Sequence, residues 1–152
     1  MLMNLLIGLS TMTLCLLLQS ALFVLALRYY ARHDSLMNDA SWWSTLVVIN
    51  SVMTLLVLGN LIQLAIWAVV FMMLGEFEAL GEAVYHSAVN FATLGYGDIV
   101  MSERHRFLGP LEAINGVLMI GVSTAALMAT FQDAIRKTLQ ARRSADALTR
   151  EV

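Results

Sequence analysis

The residues Thr93-Leu94-Gly95-Tyr96-Gly97-Asp98 lie between two long apolar segments, 44–74 and 107–131. A polar, glycine-spaced loop survives at membrane depth only where it lines a cavity or is buried in protein. Gly95 and Gly97 supply a way to line one, because glycine adopts positive φ without steric cost. Residues of alternating ordinary and glycine-like conformation turn successive carbonyls to the same side. A row of inward carbonyls can replace the water shell of a potassium ion. The plainer alternative is a glycine-rich turn between two membrane helices.

Such a loop needs rigid elements on both sides. Residues 80–91 form an apolar helical stretch too short to span a bilayer. Its C-terminal end, which carries partial negative charge, points at the loop. Three segments are long enough to span: 2–27, 45–74 and 111–132. No Lys or Arg precedes the first, so it lacks the basic start of a signal peptide. Arg28 and Arg32 follow it, and Arg136, Lys137, Arg142 and Arg143 follow the third. The positive-inside rule then puts the N-terminus outside and the C-terminus in the cytoplasm. Tyr29, Tyr30, Trp42 and Trp43 read as interfacial anchors. Asn50, Ser51, Thr54, Asn60 and Gln63 interrupt the second span and are expected to bond within the bundle. That span has no Lys or Arg, so it is not a voltage-sensing helix of the basic-row type.

The acidic turn 75–81, with Glu76 and Glu78, either raises local cation concentration or is simply solvated. Glu103, Arg104, His105 and Arg106 are expected in water. Pro110 suits a first helical turn, and Glu112 suits the charge of that turn.

Composition agrees with a membrane protein: 59% hydrophobic, 13% charged and a net charge of −2, which suggests no nucleic-acid partner. The single cysteine, Cys15, offers neither a disulfide framework nor a cysteine metal site, and reads as an apolar helix residue. His33, His86 and His105 fall on three separate segments without catalytic or metal-ligand spacing. No enzyme and no cofactor are expected.

Over residues 44–131 the chain resembles the pore-loop potassium channels. The resemblance rests on Thr93-Leu94-Gly95-Tyr96-Gly97-Asp98, the short helix before it and the span on each side. It implies an all-α membrane protein with three transmembrane helices, a re-entrant pore helix and a selectivity-filter loop, assembled as a fourfold tetramer. The expected layout is an extra N-terminal transmembrane helix at 1–30, a cytoplasmic connector at 31–43, a pore domain at 44–131 and a short cytoplasmic tail at 132–152. Within the pore domain the outer helix is 44–74, the pore helix 80–92, the filter 93–97 and the inner helix 109–131. The tail is expected to be helical at first and then frayed. The first helix is extra relative to two-helix members, and packs on its own subunit's outer helix or on a neighbour's.

The resemblance implies that the carbonyls of Thr93, Leu94, Gly95 and Tyr96, with the Thr93 hydroxyl, coordinate potassium. Gly97 closes the outer end, and Asp98 props the filter from behind. Leu94 replaces the commoner valine, and Ala92 a frequent second threonine. Val89 stands where some members have a glutamate, and Met101 replaces a common proline. Tyr85 and His86 stand at an aromatic pair, with Tyr85 expected to bond Asp98 and His86 the Tyr96 hydroxyl. Gly116 is the candidate gating hinge, while Gly121 suits close helix packing. Val117, Ile120, Thr124, Ala125 and Met128 are expected to line the conduction path and gate it by narrowing and dewetting.

One filter strand would leave its backbone unsatisfied in lipid, whereas four around a closed cyclic axis surround an ion. The expected function is a homotetrameric potassium-selective channel conducting passively across a plasma membrane of bacterial inner-membrane type. Its partners would be its own copies, membrane lipid and potassium, with room for a separate regulatory subunit because the tail is too short for a ligand-binding domain. A transporter subunit is disfavoured by the intact Gly95-Tyr96-Gly97, and a non-selective cation channel by Tyr96. A non-conducting accessory subunit of a larger channel is the main alternative.

Overall fold

A computed structural model describes residues 1–32 and 42–150. The expected connector at 31–43 falls mostly outside the described residues. Among the described residues four helices follow in order: α1 Leu2–Arg32, α2 Trp42–Met73, α3 Leu80–Phe91 and α4 Leu108–Arg150. No strand occurs among the described residues, so the protein is all-α. Segments of α1, α2 and α4 are long and apolar enough to cross a membrane, whereas α3, at 12 residues, is not.

The spans keep their small polar side chains satisfied locally. The hydroxyls of Ser10, Thr11, Thr13, Ser20, Ser51 and Thr54 each donate to a carbonyl in the preceding turn, which removes most of the penalty for holding them in an apolar setting. Helix α2 stops at Gly75, whose φ is +74°. The Gly75 N–H donates to the Met72 carbonyl and the Glu76 N–H to the Phe71 carbonyl, the paired closure of a Schellman motif. At the other end of the chain, α4 does not stop near residue 131. The tail expected to fray is helical through Arg150, because residues 132–150 contain neither Gly nor Pro and are rich in strong helix formers.

The chain divides into two compact units. The first comprises Met1–Ser20 and Leu58–Val122. Its core joins Cys15 of α1, Trp67 and Phe71 of α2, Ala83 and Phe91 of α3, and Leu108, Leu111 and Met119 of α4. In this unit α1 packs on its own chain. Gly8 lies against Leu111 so closely that a Cβ there would meet the leucine side chain. Gln63 Nε2 donates to Gln19 Oε1 at 2.7 Å, fully buried, a polar pair of the kind that contributes about 0.6 kcal/mol between membrane helices. Asn4 Nδ2 donates to the Arg104 carbonyl at 2.5 Å, so the start of α1 and the loop before α4 share one end of the unit.

The second unit comprises Ala21–Val57 and Ser123–Val152. Ala26, Val52, Leu56 and Ala126 form one apolar cluster and Val48, Ile49 and Ala134 another. Polar contacts tie the same helices together. Tyr30 Oη donates to Asp133 at 2.9 Å, and the Thr45 and Thr138 hydroxyls meet at 2.9 Å. Lys137 pairs with Asp133 at 3.0 Å and sits over the Tyr30 ring. Tyr30 is therefore an interhelical contact as well as an aromatic residue near a span end.

Candidate functional site

Helix α3 is amphipathic and buries Ala83, His86, Ser87, Val89 and Phe91. Its C-terminus repeats the Schellman closure of α2. The Thr93 N–H donates to the Asn90 carbonyl and the Leu94 N–H to the Val89 carbonyl, both at 2.8 Å. The closing residue in the left-handed region is usually glycine, but here it is Thr93, with φ of +58°. A β-branched residue at such a φ is a genuine outlier, costing about 1–2 kcal/mol. Strain of this kind persists where a particular side chain is required at a functional position.

The alternation expected from the glycines is present in the backbone. Thr93, Gly95 and Gly97 have positive φ, at 58°, 59° and 74°, while Leu94 and Tyr96 between them do not. Residues 92–98 are all exposed in the single chain. Leu94 and Tyr96 are 54% and 65% exposed, so the chain itself covers less than half of each.

Behind the loop, Tyr85 Oη donates to Asp98 Oδ2 at 2.7 Å. This hydrogen bond, helped by backbone N–H groups of Asp98 and Ile99, holds the Asp98 carboxyl below its usual range. His86 does not reach the Tyr96 hydroxyl within the chain. Its Nδ1 lies 2.9 Å from the Ile99 carbonyl and its Nε2 2.8 Å from Asn90 Nδ2. One tautomer satisfies both, with the proton on Nδ1 donated to Ile99 and Nε2 accepting from Asn90. The reason is packing: Phe71 and Phe77 hold the imidazole at ring-centroid distances of 5.6 and 5.0 Å. Met101, which stands in place of the proline common in the resembled family, is buried in the same apolar cluster.

The turn after α2 is neither solvated nor open to passing cations at Glu76, whose side chain is 6% exposed. Its carboxylate accepts from the Ser102 N–H and hydroxyl, both at 2.6 Å, and faces His105 Nδ1 at 2.5 Å. His105, expected in water, is buried. Burial opposes the Glu76 charge, but the Ser102 hydroxyl and N–H, then His105, outweigh it and hold the carboxyl below its usual range. A depressed folded pKa means the latch contributes fully at neutral pH and is lost as pH falls through that value. Glu76→Gln therefore destabilises the detergent-solubilised protein by about 2 kcal/mol at pH 7, and the gap to wild type closes in acid. Thermal unfolding followed against pH measures this; a gap that persists in acid assigns the effect to something other than the carboxylate.

On α4, Val117, Ile120, Thr124, Ala125 and Met128 are all exposed in the chain, and their spacing keeps them on one strip of helix. Val117 and Thr93 line one cleft with Ala113, Ile114 and Leu118, so the structure brings the loop and the upper part of this strip together. Gly116 faces the end of α3, where a Cβ would land on the Phe91 carbonyl. At Gly121 nothing lies within 4 Å. Close packing within the chain thus belongs to Gly116 rather than to Gly121.

Glu112 is a residue whose setting sequence reasoning missed. It is not a solvated first-turn charge but is fully buried, in contact with the Ser87 hydroxyl. The signal available in the sequence is an ionisable residue inside a predicted span.

Residues 55–133 match the family model described as "Ion channel". The match takes in much of α2, all of α3, the 93–98 loop and α4 as far as Asp133, and leaves α1 outside. No curated protein matches the chain, and no solved structure does. A matched segment of this extent, built from a short helix and a loop of alternating backbone sign between apolar helices, identifies the chain as a multi-pass integral membrane protein belonging to the pore-loop, potassium-type ion-channel family.

Proposed function

We propose that the chain forms a homotetrameric, potassium-selective channel. The observation that carries this reading is the run of positive φ at Thr93, Gly95 and Gly97, on a segment left exposed by its own chain. Carbonyls of Thr93, Leu94, Gly95 and Tyr96 from four copies, with the Thr93 hydroxyls, would replace the ion's hydration shell. Ions are cargo that moves down its gradient, and no reaction is catalysed. Four α3 C-termini directed at the central cavity would favour a cation there. The apolar strip Val117, Ile120 and Met128 would close the path by dewetting.

In the proposed orientation the N-terminus and the filter mouth face outward and the end of α4 faces the cytoplasm. Support comes from Arg28, Arg32, Arg136 and Lys137 under the positive-inside rule, and from the Asn4–Arg104 hydrogen bond, which keeps the N-terminus beside the loop following the filter.

Potassium and sodium flux through purified protein in liposomes tests the reading. Potassium flux that sodium does not match supports it; equal fluxes remove the selectivity claim; a monomeric particle removes the tetramer. Within this reading, Tyr85→Phe takes away the donor that holds Asp98. Potassium current through the variant decays several-fold faster during sustained opening. An unchanged time course would mean that this pair does not brace the filter.

A further inference from the structure

Ser87 sits on α3, six residues before Thr93, and is fully buried. Its Oγ lies 2.8 Å from the Leu64 carbonyl of α2 and also contacts Glu112 Oε1 of α4. A serine hydroxyl has one proton to give. The Leu64 carbonyl has none, so the proton between those two oxygens comes from Ser87. The proton in the second contact must then come from Glu112, since two bare oxygens at hydrogen-bonding distance repel.

The surroundings agree with a neutral acid. No ion pair to Glu112 is formed among the described residues. Its Oε2 is buried without a partner, as are the side-chain nitrogen and oxygen of Asn115 and the Trp67 indole N–H. A buried, unpaired carboxylate is far more costly than a neutral carboxylic acid with one idle oxygen. The titratable groups whose interactions reach Glu112 are the Cys15 thiol on α1 and, by way of Asn90, whose side chain interacts with the Glu112 carboxyl as well as with the imidazole, the His86 ring on α3. Helix α2 brings none, having no charged residue or histidine over its whole length.

We propose that Glu112 is a positioning residue for the filter. As a neutral carboxylic acid it donates to Ser87, which donates to Leu64, and this chain of two hydrogen bonds fastens α4, α3 and α2 together behind the loop. The helix that ends in the strained Thr93 is thereby fixed on its buried face by a proton rather than by a charge pair. The inference rests on the channel reading above for its functional consequence, though not for the protonation itself.

Two measurements on the full-length protein test it. Infrared difference spectra between wild type and Glu112→Gln at pH 7 should contain a carboxylic-acid carbonyl band that the variant lacks; a carboxylate band in its place overturns the proposal. In liposomes, Glu112→Gln keeps a donor to Ser87 and should retain potassium flux within about twofold of wild type. Glu112→Ala and Ser87→Ala should lose about tenfold, the factor set by one such hydrogen bond. Glutamine and alanine variants that are equally impaired, or equally unimpaired, also overturn it. Should the alanine variants fail to fold, the infrared band still decides. If wild type passes no potassium selectively, the channel reading fails while the band continues to report on Glu112.

Discussion

A Gly95→Ala protein reconstituted in liposomes passes no potassium above the background of empty vesicles, yet purifies with the oligomeric size of wild type. Space is not the obstacle, because nothing lies within 4 Å of a Cβ at Gly95. The obstacle is φ, which is +59° there. An L-residue held at that angle costs about 1–2 kcal/mol, in every subunit of the proposed tetramer. Alanine relieves the cost by turning to negative φ, which rotates the adjoining peptide planes and takes carbonyls out of the row. The loop is exposed in each chain, so nothing within the subunit prevents that rotation. Gly75→Ala is the control. Its φ is +74° and its surroundings are equally open, but it closes α2 far along the chain from the filter. It should lower stability by a similar amount and leave conduction intact. Potassium flux through Gly95→Ala equal to wild type would remove the carbonyl row as the conducting element.

Gly116→Ala is expected to be the most damaging small substitution in α4. The added Cβ would land on the Phe91 carbonyl, which is backbone and cannot rotate aside as a side chain would. Overpacking against a fixed neighbour costs about 1–3 kcal/mol or more, against roughly 1 kcal/mol regained from helix propensity. The unfolding temperature should fall by several degrees, since about 1 kcal/mol corresponds to roughly 2–4 °C in a chain of this size. Gly121→Ala, with open space around it, should be neutral or slightly stabilising. The comparison also bears on gating. A hinge at Gly116 would alter opening without altering stability, whereas a close approach alters stability first. Equal unfolding temperatures for the two variants would remove the packing account and leave the hinge as the reason for Gly116. The structure has α4 unbroken through both glycines.

Much of this protein was legible from local information. Three spans follow from length and hydropathy alone, and the short helix between the second and third follows from being too short to cross. The loop's backbone pattern was readable because positive φ is a property of single residues, and Gly95 and Gly97 announce it. Thr93 at +58° was not announced in this way, since nothing local favours that angle for threonine. It is imposed by the Schellman closure of α3, which needs the Val89 and Asn90 carbonyls to find the N–H groups of Leu94 and Thr93.

What the sequence determined by itself, then, was order, length and the sign of the backbone at the glycines, because each depends on residues close together in the chain. Only the tertiary structure decided the partners. Glu76 meets His105 across 29 residues and Ser87 meets Glu112 across 25, and no periodicity encodes which distant oxygen a buried donor will find. The same holds for His86, drawn to Ile99 by the rings of Phe71 and Phe77, and for Gly116, whose lack of a side chain acquires its meaning only when Phe91 is brought against it. Desolvation drives most buried polar groups to take a partner, and which partner is within reach is set by the packing of whole helices.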